Sequence, residues 1–159
     1  MKQRNKEKGS TNDDWATPQY ILDWVTKTYG SFFDPCPLKH NLNQWDGLDI
    51  SWAGVNFVNP PYNNKGKVNF IKKAYEEYKE GNISILLIPA TIDIPIFHDI
   101  ILKYASVYFV KGRVKFKGYN QKGEYVTDKA GQSGSMIVIF DPRFDEKILG
   151  SFNINNEVN

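Results

Sequence analysis

Cysteine is almost missing from this 159-residue chain: Cys36 stands alone, so no internal disulfide can form. The two histidines, His40 and His98, have no Cys or His partner at ligand spacing, and neither they nor Cys36 suggest a metal site. Cys36 reads as a packed thiol. No run approaches the roughly 20 apolar residues of a membrane helix, the longest candidates, 83–90 and 136–140, being strand-sized. The first residues, MKQRNKEKGSTNDD, lack the apolar core of a signal peptide, which leads us to expect a soluble cytoplasmic protein. Net charge is only +2 and favours no partner by itself. What is present is ordinary for a globular protein: 41% hydrophobic, 24% charged and 14% aromatic residues, which excludes disorder and collagen. A single domain of this size buries about 68–70% of its unfolded surface and folds without a staple.

Residues 1–12 carry four cations and one Glu without apolar periodicity and read as a flexible basic tail. One domain is expected over 13–144, with a C-terminal tail over 145–159. Thr17-Pro18 reads as a helix N-cap with Pro at the first helical position, followed by Ile21, Leu22, Val25 and Tyr29 at helical spacing and Gly30 as the stop. Short apolar runs at 31–33, 55–58, 83–88, 106–110 and 136–140 read as strands buried on both faces. Helical periodicity separates the second from the third (Val68, Ile71, Ala74, Tyr75, Tyr78) and the third from the fourth (Phe97, Ile100, Ile101, Tyr104). The pattern predicts an open α/β sheet.

Three strand ends carry unusual sequences: Asp34-Pro35-Cys36-Pro37, Asn59-Pro60-Pro61-Tyr62 and Pro89-Ala90-Thr91. Ligand crevices of open α/β sheets lie beyond the carboxyl ends of the strands, so all three would face one crevice. Asn59-Pro60-Pro61-Tyr62 is the strongest signal. Consecutive prolines fix φ, remove two backbone donors and leave the flanking carbonyls pointing outward. The Asn59 side-chain oxygen and the Pro60 carbonyl can each accept a hydrogen bond from one amino group while the Tyr62 ring stacks on a heterocycle, a contact of about 1–3 kcal/mol.

With these residues in order, the chain resembles the small phage-type DNA N-6-adenine methyltransferases, a Dam-like, S-adenosylmethionine-dependent family. The match runs over about 13–142 through Trp15-Ala16-Thr17-Pro18, Asp34-Pro35-Cys36, Gly47-Leu48 to Trp52, Asn59 to Tyr62, Leu87-Ile88-Pro89 and Gly112-Arg113-Val114-Lys115-Phe116. The resemblance implies an abbreviated Rossmann-like methyltransferase fold: a mostly parallel sheet, helices on both faces and a last antiparallel strand. It also implies methyl transfer from S-adenosylmethionine to the exocyclic amine of adenine in DNA, with Asn59, Pro60, Pro61 and Tyr62 catalytic. Cofactor contacts are implied for Thr17, Pro18, Asp34, Pro35, Asp46, Leu48 and Asn59, with Asp34 near the methionine ammonium and Asp46 or Asp49 near the ribose. A phage or prophage origin accompanies it, and modification, defence evasion and replication timing stay open as its role. The chain departs from many methyltransferases in having no glycine-rich turn after Asp34, and only the 20 residues 35–54 precede the next strand. The cofactor region is therefore expected to be shortened.

Charge placement makes a separate argument. Residues 63–79 hold five lysines against two glutamates, and 111–129 hold six cations against two acids. Lys65, Lys67, Arg113, Lys115, Lys117 and Tyr119 are the expected DNA contacts, cations beside an aromatic ring suiting phosphate neutralisation next to base stacking. The polar stretch 118–134 is expected to be a DNA-facing loop. The rival readings are amino methylation of cytosine, RNA or a protein glutamine, and a non-catalytic DNA-binding protein that retains the fold.

Overall fold

The computed structural model describes residues 15–61, 63–119, 122–131 and 133–153. The basic tail 1–12 and Tyr62 lie outside the described residues. Five strands form one sheet: β1 (Val55–Val58), β2 (Ile83–Pro89), β3 (Ser106–Lys111), β6 (Ser135–Phe140) and β7 (Leu149–Asn153), in the order β1-β2-β6-β3-β7. β1 and β2 pair in parallel, as do β3 and β7, while β6 runs antiparallel between β2 and β3. Four strands thus share one direction. A separate antiparallel pair consists of β4 (Lys115–Tyr119) and β5 (Tyr125–Ala130). Among the described residues no helix is long and apolar enough to cross a membrane.

The central strands are apolar without interruption because both of their faces are covered. Along β2, Leu86 and Ile88 pack into a core with Phe70, Ile71 and Ala74 of α2 (Asn64–Lys79) and with Phe97 and Ile101. Ile85 and Leu87 point the other way, onto Ile21 and Val25 of α1 (Gln19–Tyr29) and onto Phe116 of β4. This period of two places helices on both faces. The segment Phe97–Ile101 is a π-helical turn that runs into α3 (Leu102–Tyr104).

The structure departs from the sequence reading in four places. The run at 31–33 is no strand but a single parallel bridge, Phe33 to Asn56, in which the Phe33 N–H donates to the Val55 carbonyl and the Phe57 N–H to the Phe33 carbonyl. Pairing stops there because Pro35 has no N–H and the Asp34 carboxylate turns the chain by accepting from the Cys36 N–H at 2.8 Å. Thr17 is not the cap of α1. The N-cap position belongs to Pro18 (φ −58°, ψ 143°), with no side-chain cap bond, so the Thr17 hydroxyl sits one residue too far upstream. The polar stretch 118–134 is no simple loop, since Tyr125–Ala130 within it form strand β5. Within the expected C-terminal tail, 149–153 form edge strand β7, whose Phe152 is buried against Trp24 with ring centroids 5.2 Å apart; β7 is parallel to β3, so the antiparallel strand is the central β6 and not the last one. A single buried side chain in Leu-Gly-Ser-Phe-Asn leaves almost no pattern to read.

Buried polar side chains fix the loops beneath the sheet edge. Asn56 is fully buried; its Oδ1 accepts from the Ala53 N–H and its Nδ2 donates to the carbonyls of Ala53 and Ile83. Glu77 accepts from the Trp52 N–H (3.1 Å), Lys73 Nζ (2.6 Å) and Asn82 Nδ2 (2.8 Å), tying α2 to the chain before β1. Burial alone would raise the Glu77 pKa, but these bonds outweigh it and hold the carboxyl below its ordinary value. A depressed pKa contributes stability above the unfolded value near 4.5 that disappears as pH falls through the folded value. Glu77→Gln is expected to lower unfolding free energy by about 1–3 kcal/mol at pH 7, and the gap to the wild type should narrow in denaturant titrations below pH 4.

Candidate active site

Because Phe33, β1 and β2 run in parallel, Asp34, Asn59 and Ala90 leave the sheet at one edge. β3 points the same way and delivers Gly112-Arg113 to that edge. β6 enters from it, and the Ala90 N–H donates to the Gly134 carbonyl at 2.8 Å. Five chain segments thus end or begin at the edge where the sequence reading expects a crevice.

Asn59 is half-buried at its centre, and its amide orientation is determined by its neighbours. Nδ2 donates to the Trp15 carbonyl at 3.0 Å and to Thr17 Oγ1 at 3.1 Å. A backbone carbonyl only accepts, so the atom facing it must be the amide nitrogen. Both amide hydrogens are engaged, and Oδ1 remains the acceptor of the side chain. Pro60 is buried and Pro61 half-buried. Tyr62, the expected stacking ring, lies outside the described residues.

Immediately after the prolines, Asn63 caps α2 by accepting from the Gly66 N–H at 2.7 Å. A Cβ on Gly66 would lie 3.2 Å from the Pro61 Cβ and 3.1 Å from Asn63 Oδ1. Glycine there lets the first turn of α2 close onto the proline loop. The sequence reading assigned this turn to DNA contact and did not identify its capping role, although Asn directly before a helical run is a recognisable start signal.

Lys65 is exposed, whereas Lys67 is 2% exposed and therefore unavailable as a surface phosphate contact, which corrects the expectation for that residue. Its Nζ donates to Thr91 Oγ1 at 3.4 Å, linking α2 to the end of β2. Burial pulls the ammonium pKa down, and the neighbouring Asp93 opposes the shift. Arg113, Lys115 and Tyr119 are exposed and Lys117 is half-buried. Tyr119 stands across the hairpin from Tyr125, their ring centroids 5.3 Å apart, with Lys39 Nζ 5.4 Å from the Tyr119 centroid. Sequence reasoning missed Tyr125 and Lys39 because only the hairpin and the loop beside it bring them to Tyr119.

On the other side of Asn59, the Asp34 carboxylate is half-buried. Burial raises its pKa, and the Cys36 N–H and His40 only partly offset this. Asp46 is buried, and its Oδ1 accepts from the Leu48 N–H at 2.9 Å in a turn; half-buried Leu48 follows, while Asp49 is exposed. Buried Pro35 packs on this turn: a Cβ at Gly47 would sit 1.8 Å from the Pro35 carbonyl oxygen. Trp52 Nε1 holds the turn by donating to the Gly47 carbonyl at 2.7 Å. Among the described residues no three His, Cys, Asp or Glu side chains gather as a metal site would require. A cavity of ≈ 200 Å³ bordered by Tyr29, Tyr108, Asp141 and Phe144 lies at the opposite end of the sheet, at the start of β3, and Asp141 there is already paired with Arg143 at 2.8 Å. The candidate site is the edge opposite this cavity, where the chain leaves the sheet at Asp34, Asn59 and Ala90.

The model of the family DNA N-6-adenine-methyltransferase (Dam) matches residues 4–158. The chain belongs to that family. No curated protein and no solved structure matches it.

In this Dam-family chain, position 47 tolerates no side chain while Pro35 keeps its place. Gly47→Ala is expected to destabilise the fold by about 1–3 kcal/mol or more, because a backbone oxygen cannot rotate away as a side chain can. Thermal unfolding of the purified variant checks this, and an unchanged midpoint would mean that the two segments separate freely.

Proposed function

We propose that the chain transfers a methyl group from S-adenosylmethionine to the exocyclic amine of adenine in DNA, on an abbreviated Rossmann-like methyltransferase fold. Family membership supports the reaction class. One observation carries the residue roles: Asn59, at the carboxyl end of β1, has both amide hydrogens engaged and so offers Oδ1 as an acceptor, with Pro60 and its carbonyl next in the chain. Two acceptors suit the two hydrogens of one amino group. In this reading Asn59 and Pro60 orient the amine of a base drawn out of the duplex, and Tyr62 stacks on its face. Pro61 keeps the loop extended.

When bound, S-adenosylmethionine supplies a methyl group on a sulfonium centre. Asn59 and Pro60 would hold the amine that accepts this methyl, the methyl–sulfur electron pair staying with sulfur and one amine proton passing to solvent. Accepted hydrogen bonds keep electron density on that nitrogen. The rate then rests on alignment and fixed dipoles, with no covalent intermediate on the protein.

The residues fit the donor's amino-acid end. Asp34 is a carboxylate whose burial disfavours its charged form, and an ammonium beside it would relieve that cost. Pro35, Pro18, Asp46 and Leu48 would shape the surrounding wall. The Asp46 carboxylate, which accepts from the Leu48 N–H, is the proposed contact for the ribose. Lys65, Arg113, Lys115, Lys117 and Tyr119 are the proposed DNA contacts, joined by Tyr125 and Lys39.

Incubation with methyl-labelled S-adenosylmethionine and unmethylated DNA, followed by digestion and nucleoside mass spectrometry, should yield labelled N-6-methyladenine. Label in cytosine, RNA or protein, or none, would reject the proposal. Asn59→Ala should abolish transfer while S-adenosylmethionine affinity stays within about threefold. Asp34→Asn should weaken that affinity by about 10- to 100-fold in calorimetry, the value of one charge-assisted contact.

A further inference from the structure

We infer that the segment Trp15-Ala16-Thr17 is a positioning strap that selects an amide at position 59 and fixes which way it faces. This rests on the methyltransferase reading for its consequence in turnover, but the strap itself is a matter of hydrogen bonds. The Trp15 carbonyl and Thr17 Oγ1 take one hydrogen each from Asn59 Nδ2. A carboxylate in place of the amide would set an acceptor against the Trp15 carbonyl, which has no hydrogen to give. Rotating the amide would do the same. Only asparagine with Oδ1 turned away from the strap satisfies both partners, and that rotamer presents Oδ1 as the acceptor the reaction needs.

The strap is held from its far side. The Ala16 N–H donates to the Lys117 carbonyl at 2.7 Å and the Lys117 N–H to the Ala16 carbonyl at 3.3 Å, so Ala16 extends the β4–β5 hairpin by one antiparallel bridge. The other end is anchored by buried Pro18, whose carbonyl accepts the first turn of α1 at the Ile21 N–H, 3.1 Å away. Thr17 is thus suspended between the basic hairpin and α1, and any displacement of the hairpin is transmitted to the acceptors of Asn59. Thr17 acts through Asn59 and is a positioning residue in this scheme.

Three variants test the strap. Thr17→Val keeps the shape and removes the acceptor, Thr17→Ser keeps the hydroxyl, and Asn59→Asp replaces the amide by a carboxylate. In steady-state methylation of DNA, Thr17→Val is expected to lower kcat by about 10- to 100-fold, a cost typical of a displaced reacting group, with KM for DNA and for S-adenosylmethionine within about threefold. Thr17→Ser should recover most of that loss, and Asn59→Asp should be at least as impaired as Thr17→Val. Wild-type turnover in Thr17→Val, failure of Thr17→Ser to recover it, or a rise confined to the KM for S-adenosylmethionine would overturn the strap, the last returning Thr17 to a direct cofactor contact. A second readout is independent of activity. The side-chain amide ¹H–¹⁵N pair of Asn59, assigned by its disappearance in Asn59→Ala, should show slow exchange in the wild type and faster exchange in Thr17→Val. An unchanged pair would overturn the strap even if the wild type methylated nothing, whereas an inactive wild type with a protected pair would overturn the methyltransferase reading and leave the strap standing.

Discussion

Parallel pairing of Phe33, β1 and β2 is the constraint on which the candidate site depends, because it is what sends Asp34, Asn59 and Ala90 off the same edge of the sheet. Parallel strands require a covered crossover, and α2 supplies it between β1 and β2 with Phe70, Ile71 and Ala74 packed on Leu86 and Ile88. β6 then pairs antiparallel along almost all of β2, from Ser84–Phe140 to Pro89–Ser135, so the strand next to β1, which leads into Asn59, is hydrogen-bonded on both sides. The edge at which Asn59 sits inherits that rigidity. A reacting amine can be oriented to a fraction of an ångström only by groups that do not themselves wander.

Around this edge the chain uses polar bonds where larger proteins use additional secondary structure. Only a short connection separates Phe33 from β1, and it is stiffened by the Asp34 and Asp46 turns, by Trp52 on the Gly47 carbonyl, and by Glu77 reaching across from α2. Each of these side chains bonds a backbone group of the connection, and those of Trp52 and Glu77 do so in buried positions. The hairpin β4–β5 contributes differently: Phe116 anchors it in the α1 core, while Lys115, Tyr119 and Tyr125 remain at the surface. One element therefore joins an exposed basic and aromatic face to the backbone that holds Asn59.

Much of the fold was legible in the sequence. Buried strands announce themselves as β-branched and apolar runs, and β1, β2, β3 and β6 appear within a residue of where those runs lie. Gly30 marks the end of α1 because a residue at φ 85° is needed there. The segment 31–33 misled because its apolar residues pack without a ladder, and β7 escaped because an edge strand with one buried side chain has no periodicity. The hairpin strand β5 was hidden by its polar residues, which face solvent on both sides, with Tyr125, Thr127 and Asp128 all exposed.

The sequence by itself determined the order of strand ends, the placement of Asn59-Pro60-Pro61 at one of them, and through the ordered motifs the family to which the chain belongs. Those properties are local, since each depends on residues within a few positions of one another. Tertiary structure alone decided what several side chains do. Thr17 looks like a cap from its neighbours, yet its hydroxyl serves Asn59, 42 residues away. Lys67 reads as one more surface cation and is instead enclosed between α2 and the end of β2, bonded to a residue 24 positions distant. Trp15 contributes a carbonyl, which every residue possesses and no sequence pattern can mark. A hydrogen bond between remote segments exists only once the sheet has brought them together, so the acceptor geometry of the site became visible only in the folded chain.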